Sequence, residues 1–236
     1  MRTSSILRRI LCLALLLALL PACLPAAADT DFAPAYPGYV YPGAMVNFGF
    51  YEQDNNFQNG TEPVQWQVLA VDYNGGRVLL LSRYALEMQR FNHDWVKISW
   101  RDCSLRNFLN NSFYYQCFSQ YERQAILPTA MTSKYVNQQV DTVDNVFCLD
   151  STQVKQYFPS KAQRLTLPTP YAIARETAIF DGGTCYWWLR DTTKRQNDAN
   201  RIKPDGTLEE YGGNTNAYGV GVRPAVWVKL NYFPVY

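Results

Sequence analysis

Two neighbouring segments predict a β-hairpin, and they constrain the fold more than any other part of the sequence. Residues 64–72 (VQWQVLAVD) alternate between apolar and polar side chains, which is the period of a β-strand. Residues 74–76 (Asn-Gly-Gly) are a tight-turn signal. Residues 77–82 (RVLLLS) are continuously apolar and predict a second, central strand. The chain therefore contains at least one sheet.

The C-terminal stretch from residue 211 to residue 230 divides into two halves of different character. The first half (YGGNTNAY) is rich in Gly, Asn and Tyr and favours an exposed loop, whereas the second half alternates and predicts a strand over residues 222–230. Tyr provides contact area at low entropic cost, and Asn provides adaptable hydrogen bonds. Four side chains are therefore predicted to contact a ligand: Tyr211, Asn214, Asn216 and Tyr218. A solvated loop without a ligand is the alternative.

Other local signals predict short helices and further strands, so we expect an α+β fold. Helix starts are indicated by Ser99-x-x-Asp102, Ser119-x-x-Glu122, Asp150 and Thr169-Pro170. Strands are predicted over residues 145–149 (NVFCL) and 185–190 (CYWWLR), and a turn over residues 204–206. We expect two to four short helices beside a mixed or antiparallel sheet in which the terminal strands pair.

The first 28 residues have the pattern of a secretory signal peptide. Three arginines precede an apolar run over residues 10–20, and Ala26-Ala27-Ala28 offers a cleavage site. The mature protein is then secreted or attached to the cell envelope. An uncleaved anchor and lipidation at Cys23 are the alternatives. Residues 29–44 resemble a Pro/Gly/Tyr-rich linker, which leaves a single domain over residues 45–232.

The charge balance of the predicted mature chain argues against nucleic-acid binding. Removing residues 1–28 takes away three of the 22 basic residues and none of the 20 acidic ones, which leaves 19 against 20. No basic stripe remains to neutralise phosphates. No apolar run beyond the signal is long enough to span a bilayer. The expected partner is a protein or glycan at the cell surface.

Four cysteines remain in the predicted mature chain, and an even number in an oxidising compartment predicts two disulfides. The favoured pairing joins Cys103 to Cys117, which bracket a helical segment, and Cys148 to Cys185. Two other pairings and four buried free thiols are the alternatives. Since there is no Cys-x-x-Cys and His93 is the sole histidine, we expect neither a metal site nor a cofactor.

The order of motifs along the chain resembles a known bacterial family. The motifs are VNFGFYEQD, PVQWQVLAVD, GGRVLLLSRYAL, SLRNFLNNSF, DNVFCLDSTQVKQYF, TLPTPYA, WWLRD and GVGVRPAVWV. In this order they are similar to a domain family of unknown function from secreted and surface proteins, over about residues 44–230. The resemblance implies a fold like that of C-type lectins and formylglycine-generating enzymes, and it implies no established activity.

Three functional hypotheses follow. The first is a ligand-binding module without catalytic activity, in which Trp188 stacks on the ligand and loops between residues 195 and 218 surround it. The second is an enzyme like the formylglycine-generating ones, with a reactive Cys185. The third is a structural envelope protein. Arg190 and Arg223 are expected to pair internally with Asp191 or Glu side chains.

Overall fold

The computed structural model describes residues 40–135, 138–192, 195 and 197–233. The predicted signal peptide, most of the predicted linker and Cys23 lie outside the described residues. The described part confirms the α+β class, with three sheets and short helices. No helix within it is long and apolar enough to cross a membrane.

The described residues form eleven strands and six short α-helices. The strands are β1 (Met45–Tyr51), β2 (Glu62–Asp72), β3 (Arg77–Ser82), β4 (Glu87–Met88), β5 (Thr129–Tyr135), β6 (Gln138–Asp144), β7 (Trp187–Thr192), β8 (Asp198–Ile202), β9 (Leu208–Asn214), β10 (Gly221–Val222) and β11 (Ala225–Lys229). The helices are α1 (Ser104–Phe108), α2 (Tyr114–Cys117), α3 (Gln120–Ala125), α4 (Ser151–Tyr157), α5 (Lys161–Arg164) and α6 (Pro170–Ala174). A π-helical segment, Leu109–Phe113, joins α1 to α2.

The predicted hairpin is the centre of an antiparallel four-stranded sheet with the order β1-β2-β3-β11. The apolar residues 78–81 of β3 are completely buried, as expected for a central strand. The terminal strands β1 and β11 share this sheet but do not pair with each other, because the β2–β3 hairpin lies between them. The expectation of paired terminal strands is therefore wrong in detail.

The second sheet is mixed and has the order β4-β10-β7-β8-β9, with β10 parallel to β7. Two predictions are corrected here. The predicted strand over residues 222–230 is two strands, since the backbone leaves one sheet after Val222 and enters the other at Ala225. The predicted loop region over residues 195–218 contains the β8–β9 hairpin, so that Tyr211 and Asn214 belong to a strand. Strands β5 and β6 form a separate two-stranded sheet that sequence reasoning missed.

Most of the predicted helix starts are confirmed. Ser119 and Asp150 form capping boxes for α3 and α4, and Thr169 caps α6, in which Pro170 is the first residue. The pattern Ser99-x-x-Asp102, however, predicts the start of α1 too early in the sequence. Ser99 precedes a short 3₁₀ turn, and the sulfur of Cys103 accepts the hydrogen bond from the Arg106 amide at the start of α1.

The four cysteines of the domain are free and buried, so neither predicted disulfide is formed. Cys103 donates to the Trp100 carbonyl at 3.2 Å, a contact that a disulfide would remove. Burial raises the pKa of Cys103 to about 12 and of Cys185 to about 12. Thiols with such pKa values are protonated at neutral pH and behave as small apolar core side chains.

Candidate functional site

The segment from Tyr211 to Tyr218 presents most of its predicted ligand-contacting side chains to solvent. Tyr211 is 84% exposed and Tyr218 is 56% exposed. Asn214 is also exposed, whereas Asn216 is half-buried. The structure adds a residue that sequence reasoning missed: Trp95, which is 57% exposed on the loop over residues 92–97. We call these five residues, with the loops and the end of strand β9 that carry them, the loop face.

Hydrogen bonds hold the two loops of this face together. The Asn92 amide donates to the Thr215 carbonyl at 2.8 Å, and the Thr215 hydroxyl donates to the Asp94 carbonyl at 3.5 Å. Trp95 is fixed by Asn197, whose side-chain oxygen accepts from Trp95 Nε1 at 2.9 Å in the amide orientation that satisfies both ends. Thr215 is fully buried between the loops. The exposed rings therefore project from an ordered support.

Tyr218 lies among charged groups. The Arg90 guanidinium is 5.0 Å from the centre of the Tyr218 ring, which is a cation–π distance. Glu176 accepts a hydrogen bond from the phenol and raises the pKa of Tyr218. Glu176 has a φ of 73°, in the left-handed region that non-glycine residues rarely adopt. This conformation ends helix α6, since the Glu176 amide donates to the Ile173 carbonyl at 2.8 Å and the Thr177 amide donates to the Ala172 carbonyl at 2.9 Å.

The structure excludes Trp188 from a solvent-facing site. Its side chain is completely buried, and Nε1 donates to the Gln89 carbonyl at 2.8 Å. Its neighbour Trp187 is also completely buried, with Nε1 donating to the Arg164 carbonyl at 3.0 Å. Adjacent side chains of a strand point to opposite faces, and both faces of β7 are covered. Neither tryptophan is therefore available to contact a ligand.

A buried carboxylate lies on β4. Glu87 is 3% exposed, and it accepts hydrogen bonds from the Tyr51 hydroxyl at 2.9 Å and the Met88 amide at 3.0 Å. Arg175 approaches it at 3.4 Å. Burial raises the pKa of Glu87, and the nearby Glu87 carboxylate raises the pKa of Arg175. This cluster joins β1, β4 and the end of α6.

Three further carboxylates come together where the loop after β1 meets the start of β2. Oxygens of Glu52, Asp54 and Glu62 lie within 4.8 Å of one another. They accept hydrogen bonds from backbone amides of the same loop, such as Asn56 to Asp54 at 2.7 Å and Gln53 to Glu62 at 2.7 Å. These hydrogen bonds explain why the three carboxylates lie close together, because they stabilise the turn that the loop forms.

A groove on the described surface lies between the segment before β7 and the β8–β9 turn. Its volume is about 680 Å³. One wall is formed by residues 179–181 and the other by residues 203–205, with Tyr186 between them. Phe180 is 44% exposed, and its ring meets Tyr186 edge to face at 5.2 Å. The groove therefore combines aromatic surface with charged side chains of both signs.

Cys185 and the two buried arginines are internal. Cys185 is 1% exposed, so its thiol is not placed to meet a substrate. Arg190 pairs with Asp150 rather than with Asp191, whose carboxylate accepts from the Ser151 amide at 2.7 Å. Arg223 donates from Nε to the Ser82 carbonyl at 2.7 Å, which corrects the expectation of a carboxylate partner.

The chain matches a family described as a domain of unknown function (DUF6273) over residues 75–230. This match covers more than half of the chain, and the chain therefore belongs to that family. Searches of the curated proteins and of the solved structures give no match. The family description carries no activity, so the functional argument rests on the geometry above.

Proposed function

We propose that this chain is a bacterial secreted or envelope-attached ligand-binding module with a C-type-lectin-like fold and without catalytic activity. The observation that carries the proposal is the loop face. Trp95, Tyr211 and Tyr218 expose their rings from loops and a strand end that hydrogen bonds hold in place. Rigid aromatic anchors beside adaptable Asn side chains are the composition of binding surfaces that recognise proteins.

A protein is the ligand that the loop face favours over a glycan. The exposed rings stand out from the surface, and projecting aromatic anchors suit insertion into pockets of a partner protein. The neighbouring Arg90 and Glu176 would add polar contacts at the rim. An enzyme using Cys185 is disfavoured, because burial raises the pKa of this thiol to about 12 and leaves little thiolate at neutral pH.

Secretion is proposed from the pattern of residues 1–28. Mass spectrometry of the mature N-terminus tests it: cleavage after Ala28 supports plain secretion. A lipid on Cys23 would instead support an envelope lipoprotein. An intact Met1 in the native host would contradict both.

Capture on arrays of cell-surface proteins and of glycans tests the loop face. We expect the triple substitution Tyr211→Ala, Asn214→Ala and Tyr218→Ala, and separately Trp95→Ala, to lower capture of a bound protein by about tenfold or more. All four side chains are exposed, so the unfolding midpoint should change little.

The matched control is Tyr73→Ala, which removes a ring that is 73% exposed in the β2–β3 turn. This variant should capture ligand as the wild type does. Capture that survives the loop-face substitutions unchanged would contradict the proposed surface. Capture of glycans alone through these residues would contradict the protein ligand.

A further inference from the structure

We propose that the groove between residues 179–181 and 203–205 is a second binding site, and that it takes a neutral hexopyranose sugar without a metal ion. The residues that line the groove are different from those of the loop face. The two sites share strand β9, which begins after the β8–β9 turn of the groove and carries Tyr211 and Asn214. They are therefore distinguished by their residues.

The floor of the groove is a fixed aromatic ring. The Arg201 guanidinium lies 4.2 Å from the centre of the Tyr186 ring, and Arg201 Nε also bonds Glu209 at 2.6 Å. A Cβ added at Gly213 would lie 2.4 Å from the Arg201 guanidinium carbon, so a glycine is required for this arginine to pack there. The backbone carbonyl of Tyr186 accepts from the Gly221 amide at 2.8 Å.

The wall that carries Phe180 is held by its own backbone. The Phe180 amide donates to the Thr184 carbonyl at 2.9 Å, and the Gly183 amide donates to the Phe180 carbonyl at 2.9 Å. The Thr184 hydroxyl donates to the Asp181 carbonyl at 3.2 Å. The half-exposed Phe180 ring is thus presented to the groove by a closed turn rather than by an open loop.

The opposite wall fixes a carboxylate. Both Asp205 oxygens accept hydrogen bonds at 2.9 Å, one from the Thr207 amide and one from the Thr207 hydroxyl. The backbone bond is the first reason that the pKa of Asp205 is lowered, so this group is ionised at neutral pH. Gly206 packs so tightly that an added Cβ would lie 2.0 Å from the Lys161 carbonyl oxygen.

This combination suits a sugar. A pyranose has one face of C–H groups, which packs on an aromatic ring, and an edge of hydroxyls, which both donate and accept hydrogen bonds. Phe180 and Tyr186 provide the apolar surface, and the carboxylates of Asp181 and Asp205 can accept hydrogen bonds. The Lys203 ammonium pairs with Glu209 at 3.3 Å and has further N–H groups to donate to a hydroxyl. Because both signs of charge line the groove, a neutral sugar is favoured over a strongly charged one. A volume of about 680 Å³ admits one or two sugar rings.

Saturation-transfer NMR tests the site, with cellotriose, maltotriose, mannotriose and triacetylchitotriose as separate probes. We expect at least one probe to bind at concentrations up to about 10 mM, and Phe180→Ala to weaken that binding about tenfold or more. Asp205→Asn should weaken it as well, since a charge-assisted acceptor is lost. Binding should persist in EDTA.

Matched variants separate this proposal from the loop face. Tyr73→Ala and Trp95→Ala should leave sugar binding unchanged, and Phe180→Ala should leave protein capture unchanged. The unfolding midpoint of Phe180→Ala checks that the fold is intact. The groove proposal is overturned if none of the four sugars binds, if binding survives Phe180→Ala in the folded protein, or if EDTA abolishes it. Sugar binding that is lost with Trp95 or Tyr218 would move the site to the loop face.

Discussion

Two arginines, each 3% exposed, occupy very different surroundings in the same sheet region. Arg190 on β7 meets the Asp150 carboxylate, the Gln153 side chain and the Cys148 carbonyl. Arg223, after β10, donates to the Ser82 carbonyl and lies between the rings of Trp187 and Phe158, at 5.2 and 5.6 Å. Within the described part of the chain, each has a fully buried guanidinium nitrogen without a hydrogen-bond partner, Nε in Arg190 and Nη1 in Arg223.

The difference lies in how the charge is balanced. The charge of Arg190 is matched by a carboxylate that also caps α4, so breaking the pair disturbs a helix start as well. The charge of Arg223 is stabilised by aromatic faces, and burial lowers its pKa to about 10. Counting buried arginines therefore says little about stability, because removing the paired Arg190 and removing the unpaired Arg223 are expected to change the free energy of unfolding by different amounts.

The largest effect is expected from Asp150→Ala. This change leaves Arg190 buried without its carboxylate and removes the N-cap of α4, so it should lower the free energy of unfolding by about 3–5 kcal/mol. Chemical denaturation measures the loss. Asp150→Asn keeps a capping side chain but removes the charge, and the difference between the two variants isolates the cap at about 1 kcal/mol. Glu210→Ala, at an exposed ion pair, should cost less than about 1 kcal/mol; a cost equal to that of Asp150→Ala would contradict the comparison.

A smaller effect separates the two arginines directly. Arg190→Met leaves the Asp150 carboxylate without its cation, and we expect a loss of about 2–4 kcal/mol. Arg223→Met removes a buried charge and places a flexible apolar side chain between two rings, so stability should stay within about 1 kcal/mol of the wild type. Equal losses in the two variants, measured under the same conditions, would show that charge balance is not what distinguishes them.

The smallest effect is a dependence on alkaline pH. The folded pKa of Arg223 is lowered to about 10 from an ordinary 12.5, so the unfolded chain binds this proton more tightly. Stability must then rise, relative to Arg223→Met, as pH passes upward through about 10. Between about pH 9 and pH 11 the relative gain should be about 1 kcal/mol. A relative loss over this interval would mean that burial does not lower the pKa of this guanidinium.

How much of the fold the sequence predicts depends on what fills the buried positions. The β2–β3 hairpin is confirmed because apolar side chains mark its buried face. The β8 strand buries Asp198 and Asn200, and the Asn200 amide donates to the Ser151 hydroxyl at 2.8 Å. Such polar networks satisfy buried groups without producing an apolar period, so strand β8 is invisible to a hydropathy pattern. The same holds for β5 and β6, which bury Ser133 and Thr142.

The candidate sites were predictable only in part. The composition of residues 211–218 indicates exposed, adaptable side chains, and Tyr211, Asn214 and Tyr218 are exposed. Trp95 could not be assigned to the same face, because its place there depends on pairing with residues more than 100 positions away. The two adjacent tryptophans on β7 suggest a stacking platform, but only the covering of both strand faces shows why Trp188 is core.

Strand β9 is the edge of the five-stranded sheet, and its irregular backbone has a consequence for how the protein behaves in solution. The register with β8 shifts between Ala199 and Arg201, and Gly212 has a φ of 71°. A bulged, left-handed edge with the charged residues Glu209 and Glu210 offers a second copy no straight row of amides and carbonyls to pair with. This irregular edge thereby discourages edge-to-edge self-association, although strand β9 is exposed at the end of the sheet.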